Sequence, residues 1–161
     1  MIGRVDTLHL PHAAADAVAA AAYAHEPNET GGIMLGTIEG KIATVAALIG
    51  PGPDAEHRPT SFDPDQAWQL EALGDVWQSA AADWRYLGDW HSHPGAGVRP
   101  SVRDWKVARL IASSPDARCP APLMLIAAVG ESVRLGAHQL RTAWFRRVEV
   151  RPVESSAILR L

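Results

Sequence analysis

The length, composition and charge of the chain limit the classes of function that it can have. With 161 residues, 47% of them apolar and 20% charged, the sequence predicts one globular domain that spans residues 1–161 and buries a substantial core. The net charge of -3 gives no electrostatic footprint for nucleic acid or for an anionic membrane. We therefore expect neither of these as a partner.

The N-terminal residues and the cysteine content predict a cytoplasmic protein. Residues 1–6 lack the apolar core of a signal peptide. The Ala-rich segment 13–24 is interrupted by Asp16 and is too short to span a bilayer. A single cysteine, Cys119, excludes an internal disulfide framework and fits a reducing compartment.

Hydrophobic periodicity and turn residues predict the elements in chain order. The predicted strands cover residues 5–10, 32–38, 41–49, 84–92, 123–129, 132–139 and 143–150. The predicted helices cover residues 11–25, 63–82 with Asp63 as N-cap, and 101–113. Residues 55–62 are interpreted as a polar loop and the chain from Pro152 onward as a tail. Since helices and strands do not alternate regularly, the order favours an α+β fold over βαβ units.

Two histidines form the most informative pattern of the chain: one lies on the predicted strand 84–92 and the other directly follows it. In a strand, His91 and His93 point to the same face, with Cα atoms roughly 6.5 Å apart, so that both imidazoles can reach one ion. Pro94 ends the strand, and Asp104 follows after a Gly/Pro loop. Two histidines and one carboxylate, with a fourth position open for water, are a ligand set of catalytic zinc.

A structural interpretation of the same residues stays open. Ser101 and Asp104 have the spacing of a capping box, with Ser101 as N-cap of the following helix. A helix N-terminus is also a rigid mount for a metal ligand, so the two roles are compatible.

The pattern His91-Ser92-His93-Pro94 followed by Ser101-x-x-Asp104 resembles the signature of the JAMM (MPN+, Mov34-type) zinc metalloproteases. That family also has a glutamate upstream, on a segment that runs into a Gly-rich strand. The segment from Asn28 to Gly36 resembles it, with Glu29 as the glutamate. The resemblance covers most of the chain, roughly residues 5–150.

The resemblance implies a fold and a set of residue roles. The fold is the MPN (cytidine-deaminase-like) fold, a curved mixed β-sheet flanked by helices. His91, His93 and Asp104 would hold one zinc ion with water as fourth ligand, and Glu29 would be the general base. Ser101 would donate to the developing oxyanion. Without the resemblance, Glu29 is most simply a solvated loop residue.

Five further residues lie outside the pattern. Asp89 lies on the same predicted strand face as His91 and is either a partner that orients an imidazole or an exposed carboxylate. Trp90 alternates with the histidines and is expected in the core. His57, His138 and Cys119 belong to no pattern and are interpreted as structural or surface residues.

The resemblance implies a peptidase or isopeptidase that cuts after the C-terminal glycine of ubiquitin or a ubiquitin-like modifier. An extended tail would bind along the loop 95–97 and at the edge of the nearby strand. The short linkers, residues 50–63 and 114–122, resemble the compact prokaryotic members, which act beside ubiquitin-like modifiers, sulfur carriers or antiphage conjugation systems. Two alternatives stay open: a hydrolase that releases a small adduct, such as an amino acid, from a sulfur-carrier protein, and a non-catalytic MPN scaffold.

Overall fold

A ring of β-strands organises the fold. The computed structural model describes residues 3–79, 83–154 and 158–161. The strands are β1 (Thr7–Pro11), β2 (Gly31–Glu39), β3 (Ile42–Ile49), β4 (Glu56–Arg58), β5 (Ser61–Asp63), β6 (Arg85–Pro94), β7 (Leu123–Val129), β8 (Val133–Leu140), β9 (Phe145–Val153) and β10 (Leu159–Arg160). The helices in the described part are α1 (His12–His25), α2 (Gln66–Ser79) and α3 (Val102–Ser113).

The main sheet is mixed and closes on itself. Its strand order is β1-β9-β8-β7-β6-β2-β3-β10, and β1 also pairs with β3. The pairs β1–β3, β1–β9, β6–β7 and β3–β10 are parallel, whereas β2–β3, β2–β6, β7–β8 and β8–β9 are antiparallel. The predicted α+β class with a curved mixed sheet and flanking helices is therefore confirmed.

The helices cover both faces of this sheet. The small side chains Ala14, Val18 and Ala22 of α1 are fully buried and pack in the largest core cluster, which includes Trp90. On the opposite face, α2 packs on β2 and β3, and α3 packs on β7 and β8. Strand β7 is consequently buried over its whole length, which explains why its sequence is a continuous apolar run.

Three predictions about local structure are wrong. Residues 55–62 were expected to be a loop, but β4 and β5 pair there as a small antiparallel hairpin. The N-cap of α2 is Asp65 rather than Asp63, because Asp65 Oδ1 accepts from the Trp68 N–H at 3.1 Å. The chain from Pro152 onward is not all tail, because β9 continues to Val153 and β10 pairs with β3. Residues 80–82, where the helix predicted over residues 63–82 was expected to end, lie outside the described part.

Strand β6 lies inside the sheet, between β2 and β7. Gly88 of this strand has φ of 147°, and a Cβ there would collide with the backbone of Leu123 on β7. From Gly88 to His91, β6 is hydrogen-bonded to β2 on one edge and to β7 on the other, so a substrate strand cannot pair with it there. Binding of an extended tail along the loop 95–97 and at the edge of the nearby strand stays a prediction. Within the described ranges, none of the helices has the length and apolar character that a membrane crossing requires.

Candidate metal centre

The regular pleat of β6 places two imidazoles side by side, as the sequence predicts. His91 and His93 are both buried, with 5% and 8% of their surface exposed. Their Nε2 atoms are 2.9 Å apart on the face that α2 and α3 cover. Trp90 points to the opposite face and is buried in the core, which confirms its predicted position.

The first turn of α3 brings Asp104 to the two imidazoles. Its Oδ1 is 3.2 Å from His91 Nε2, and its Oδ2 is 3.4 Å from His93 Nε2. The predicted capping box is also present: the Asp104 N–H donates to Ser101 Oγ at 3.1 Å, and the Ser101 N–H donates to Asp104 Oδ2 at 2.6 Å. The capping box fixes the carboxylate with its oxygens toward the histidines, so it supports a ligand role instead of excluding one.

The donor atoms fit a tetrahedrally bound divalent metal. With metal–ligand bonds of 2.0–2.1 Å, neighbouring donors of a tetrahedral site are about 3.3 Å apart, close to the separations found here. The His93 Nδ1–H donates to the Gly97 carbonyl at 2.8 Å, which leaves the Nε2 lone pair facing the site. His91, His93 and Asp104 form a group of side chains with the arrangement of metal ligands.

Glu29 lies at the same site. It precedes β2, is half-buried, and lines a cavity of about 380 Å³ together with His91 and Asp104. Burial raises the pKa of the Glu29 carboxyl, although the nearby imidazoles of His91 and His93 oppose the shift. A carboxylate that gains a proton more readily than usual is suited to proton transfer near neutral pH.

Ser101 occupies a different position from Glu29. It is exposed at the N-terminus of α3 and is not among the residues that line the 380 Å³ cavity. Its Oγ accepts the capping hydrogen bond from Asp104, so the hydroxyl proton remains available to a substrate atom.

Comparison with known proteins agrees with this geometry. A family model described as prokaryotic homologs of the JAB domain matches residues 11–145, most of the chain. The chain belongs to this family. The predicted kinship with the JAMM/MPN+ proteins is therefore confirmed.

Several proteins resemble this JAB domain. A probable metalloprotease, y4qB of Sinorhizobium fredii (strain NBRC 101917 / NGR234), is 32% identical over 128 residues, which cover 75% of this chain and 78% of the relative. A CD-NTase/cGAS isopeptidase of Enterobacter hormaechei subsp. hoffmannii (strain UCI 50) is 32% identical over 102 residues, covering 62% of this chain and 54% of the relative. The match therefore spans about half the length of that isopeptidase.

A solved structure supports the fold of this JAB domain. The solution structure of protein DSY2949 from Desulfitobacterium hafniense superposes with a TM-score of 0.73 and covers 92% of this chain and 94% of its own. The two sequences are 23% identical, so the likeness concerns the fold.

Asp89 of the JAB domain does not orient an imidazole, which was one of its two expected roles. Its Oδ1 accepts from the Tyr86 hydroxyl at 2.6 Å, and no hydrogen bond joins it to a histidine among the described residues. The other expectation, an exposed carboxylate, is also wrong: the group is half-buried in the cavity, and burial raises its pKa to about 6.

The remaining residues outside the sequence pattern have structural contacts. His138 Nε2 is 2.8 Å from the Val98 carbonyl and thus helps to hold the loop between β6 and α3. Burial raises the pKa of the Cys119 thiol to about 12, so this side chain is inert. His57 contacts the backbone of Glu29, a contact that no sequence pattern indicated because the hairpin that carries it was not predicted.

In the metal-free JAB domain, the contribution of His93 to the stability of the fold is expected to depend on pH. Burial by itself would lower the pKa of His93, but hydrogen bonds with Asp104 and the Gly97 carbonyl outweigh it and raise the pKa. The protonated imidazole therefore stabilises the fold fully below the unfolded-state pKa of about 6.5, and this contribution is lost as pH rises through the folded-state pKa.

Thermal unfolding of chelator-treated wild type and His93→Gln measures this effect. We expect the advantage of wild type over the variant to be larger at pH 6 than at pH 8.5. The lowered pKa of His138 acts in the opposite direction, but it is common to both proteins and cancels in the difference. An advantage that grows with pH would contradict the assigned pairing with Asp104.

Proposed function

We propose that this chain is a zinc-dependent isopeptidase or peptidase that cuts after the C-terminal glycine of a ubiquitin-like protein. The observation that carries the proposal is the grouping of His91, His93 and Asp104 at a cavity that His91 and Asp104 line together with the half-buried Glu29. Relatives named as a metalloprotease and as isopeptidases support hydrolysis of an amide bond in a protein substrate.

His91, His93 and Asp104 are the proposed zinc ligands. A zinc ion held there supplies Lewis acidity, which lowers the pKa of a water molecule toward about 7 and polarises a carbonyl group. The Asp104 carboxylate contributes negative charge, which the capping hydrogen bond from Ser101 helps to fix in place.

Glu29 is the proposed general base. Its carboxylate takes the proton of the attacking water and returns it to the leaving amine nitrogen, so that the carboxylate is regenerated. Its raised pKa suits both halves of this transfer. The carboxylate accepts a proton from water more readily than an ordinary carboxylate does, and the resulting carboxylic acid is still acidic enough to donate the proton to an amine.

The proposed role of Ser101 is to donate its hydroxyl proton to the substrate oxyanion. We expect Ser101→Ala to lower kcat by about 10²–10³-fold through loss of this donor. The same change removes the N-cap acceptor of α3 and should cost about 1 kcal/mol of stability.

Ser101→Gly is the control that separates these two effects. Glycine is tolerated at an N-cap and should restore most of the stability, but it has no hydroxyl. Steady-state kinetics and denaturant unfolding of both variants give the answer. Recovery of kcat in Ser101→Gly would show that Ser101 acts through the helix cap alone.

A panel of ubiquitin-like proteins ending in Gly-Gly, each fused through its terminal glycine to a reporter protein, tests the proposed reaction. Zinc-loaded protein is expected to release a modifier whose new C-terminus, identified by mass spectrometry, is the glycine carboxylate. Since the CD-NTase/cGAS isopeptidases are partial relatives, fusions to a nucleotidyltransferase belong in the panel. Zinc-loaded protein that cleaves none of these fusions would argue against the proposal.

A further inference from the structure

The hairpin of β4 and β5 lies against the segment that carries Glu29. The Glu29 N–H donates to the Arg58 carbonyl at 2.8 Å, and the Glu29 carbonyl accepts from His57 Nδ1 at 2.9 Å. Two adjacent residues of β4 therefore hold both backbone polar groups of Glu29. Because a carbonyl can only accept, Nδ1 of His57 must carry the proton, which is the case in one neutral tautomer and in the imidazolium.

The His57 ring itself lies next to two other aromatic rings. The centroid of the His57 ring is 4.2 Å from that of the His25 ring, and the two ring planes make an angle of 31°. The corresponding values for the Phe62 ring are 6.3 Å and 13°. Phe62 in turn rests on the backbone at Gly31, where a Cβ would come within 2.5 Å of the Phe62 ring. The donor that holds Glu29 is thus fixed by packing with both α1 and β5.

The hairpin also reaches the helix that carries Asp104. Asp63 at the end of β5 pairs with Arg58 at 2.7 Å and with Arg103 at 3.4 Å, next to Asp104 in α3. The hairpin accordingly touches both parts of the site: the segment of the proposed base and the first turn of the metal-ligand helix. These ion pairs are exposed and contribute little stability, so the contacts of the half-buried side chains His57 and Phe62 matter more.

We infer that His57 is a positioning residue: its Nδ1–H holds the Glu29 backbone so that the carboxylate faces the cavity beside His91. This inference rests on the proposed role of Glu29 as general base. Proton transfer requires hydrogen-bond reach, and a displacement of about 1 Å is enough to lower a rate by about 10²-fold. Loss of the donor should therefore slow the chemical step without releasing the metal.

Two variants of His57 separate the hydrogen bond from ring packing. His57→Phe keeps an aromatic ring next to His25 and Phe62 but has no donor. His57→Asn has a side-chain amide nitrogen near the position of Nδ1 but no ring. We expect His57→Phe to lower kcat by about 10–100-fold with little change in KM, and His57→Asn to recover most of that loss.

The kinetics are measured on a reporter fusion that wild type cleaves, with zinc content and unfolding temperature of each variant as controls. Wild-type kcat in His57→Phe, or a kcat in His57→Asn as low as in His57→Phe, would overturn the inference. If wild type cleaves and Glu29→Gln does not, such a result removes the role of His57 and leaves the proposed function intact. If His57→Asn does not fold, unimpaired catalysis by His57→Phe still suffices to refute the role.

Discussion

Glu29→Gln is expected to lower kcat for release of the modifier by about 10²–10⁴-fold while zinc stays bound. The carboxylate is half-buried beside His91 and Asp104, and an amide in its place keeps the size but cannot accept a proton at neutral pH. Because Glu29 is not one of the three grouped ligands, the metal should remain. Steady-state kinetics measure kcat, and elemental analysis of the same sample measures the zinc content.

Glu26→Gln is the matched control for this substitution. Glu26 is an exposed glutamate at the end of α1, three residues before Glu29 and outside the cavity lining. Its change to glutamine alters the net charge by the same amount and should leave kcat at the wild-type value. Release at the wild-type rate by Glu29→Gln would remove the assignment of the general base.

Asp104→Ala is expected to abolish the stabilisation that zinc confers on the folded protein. A ligand present at about 1,000 times its dissociation constant stabilises the native state by about 4 kcal/mol, which for a chain of this size shifts Tm by roughly 10 °C. We expect zinc to produce such a shift in chelator-treated wild type and almost none in the variant. The variant should also lose about 1 kcal/mol in the absence of zinc, because its capping hydrogen bond is gone.

Asp104→Asn separates the loss of the ligand charge from the loss of the cap. The asparagine amide oxygen can still accept from the Ser101 N–H, so the zinc-free stability should approach that of wild type at pH 8.5, where the charge pairing with His93 contributes least. Its neutral amide is a poor zinc ligand, so the zinc-induced shift should remain small. A full zinc-induced shift in both Asp104 variants would place the metal elsewhere.

The part of the site that could be predicted from the sequence lies on regular structure. The alternation of a strand predicts that His91 and His93 share a face and that Trp90 is opposite. The capping-box spacing predicts the hydrogen bonds of Ser101 and Asp104. Glu29 could not be identified in this way. Local patterns indicate only a solvated loop residue there, and the family resemblance alone pointed to it as a site residue.

The features that could not be predicted depend on contacts distant in sequence. The closure of the sheet needs β1 to pair with β3 and β9, and nothing local to residues 7–11 indicates these partners. The β4–β5 hairpin has no alternation of apolar and polar residues and no glycine at its turn. Its order comes from Phe62 on Gly31 and from Glu29 beside Arg58, contacts that appear only in the folded chain.

The metal content of the purified wild-type protein tests the central claim most directly. Elemental mass spectrometry before and after zinc reconstitution requires no knowledge of the substrate. We predict about one zinc ion per chain, bound by His91, His93 and Asp104. A reconstituted protein that holds no metal would contradict the account and would favour a structural role for the two histidines and the capping box.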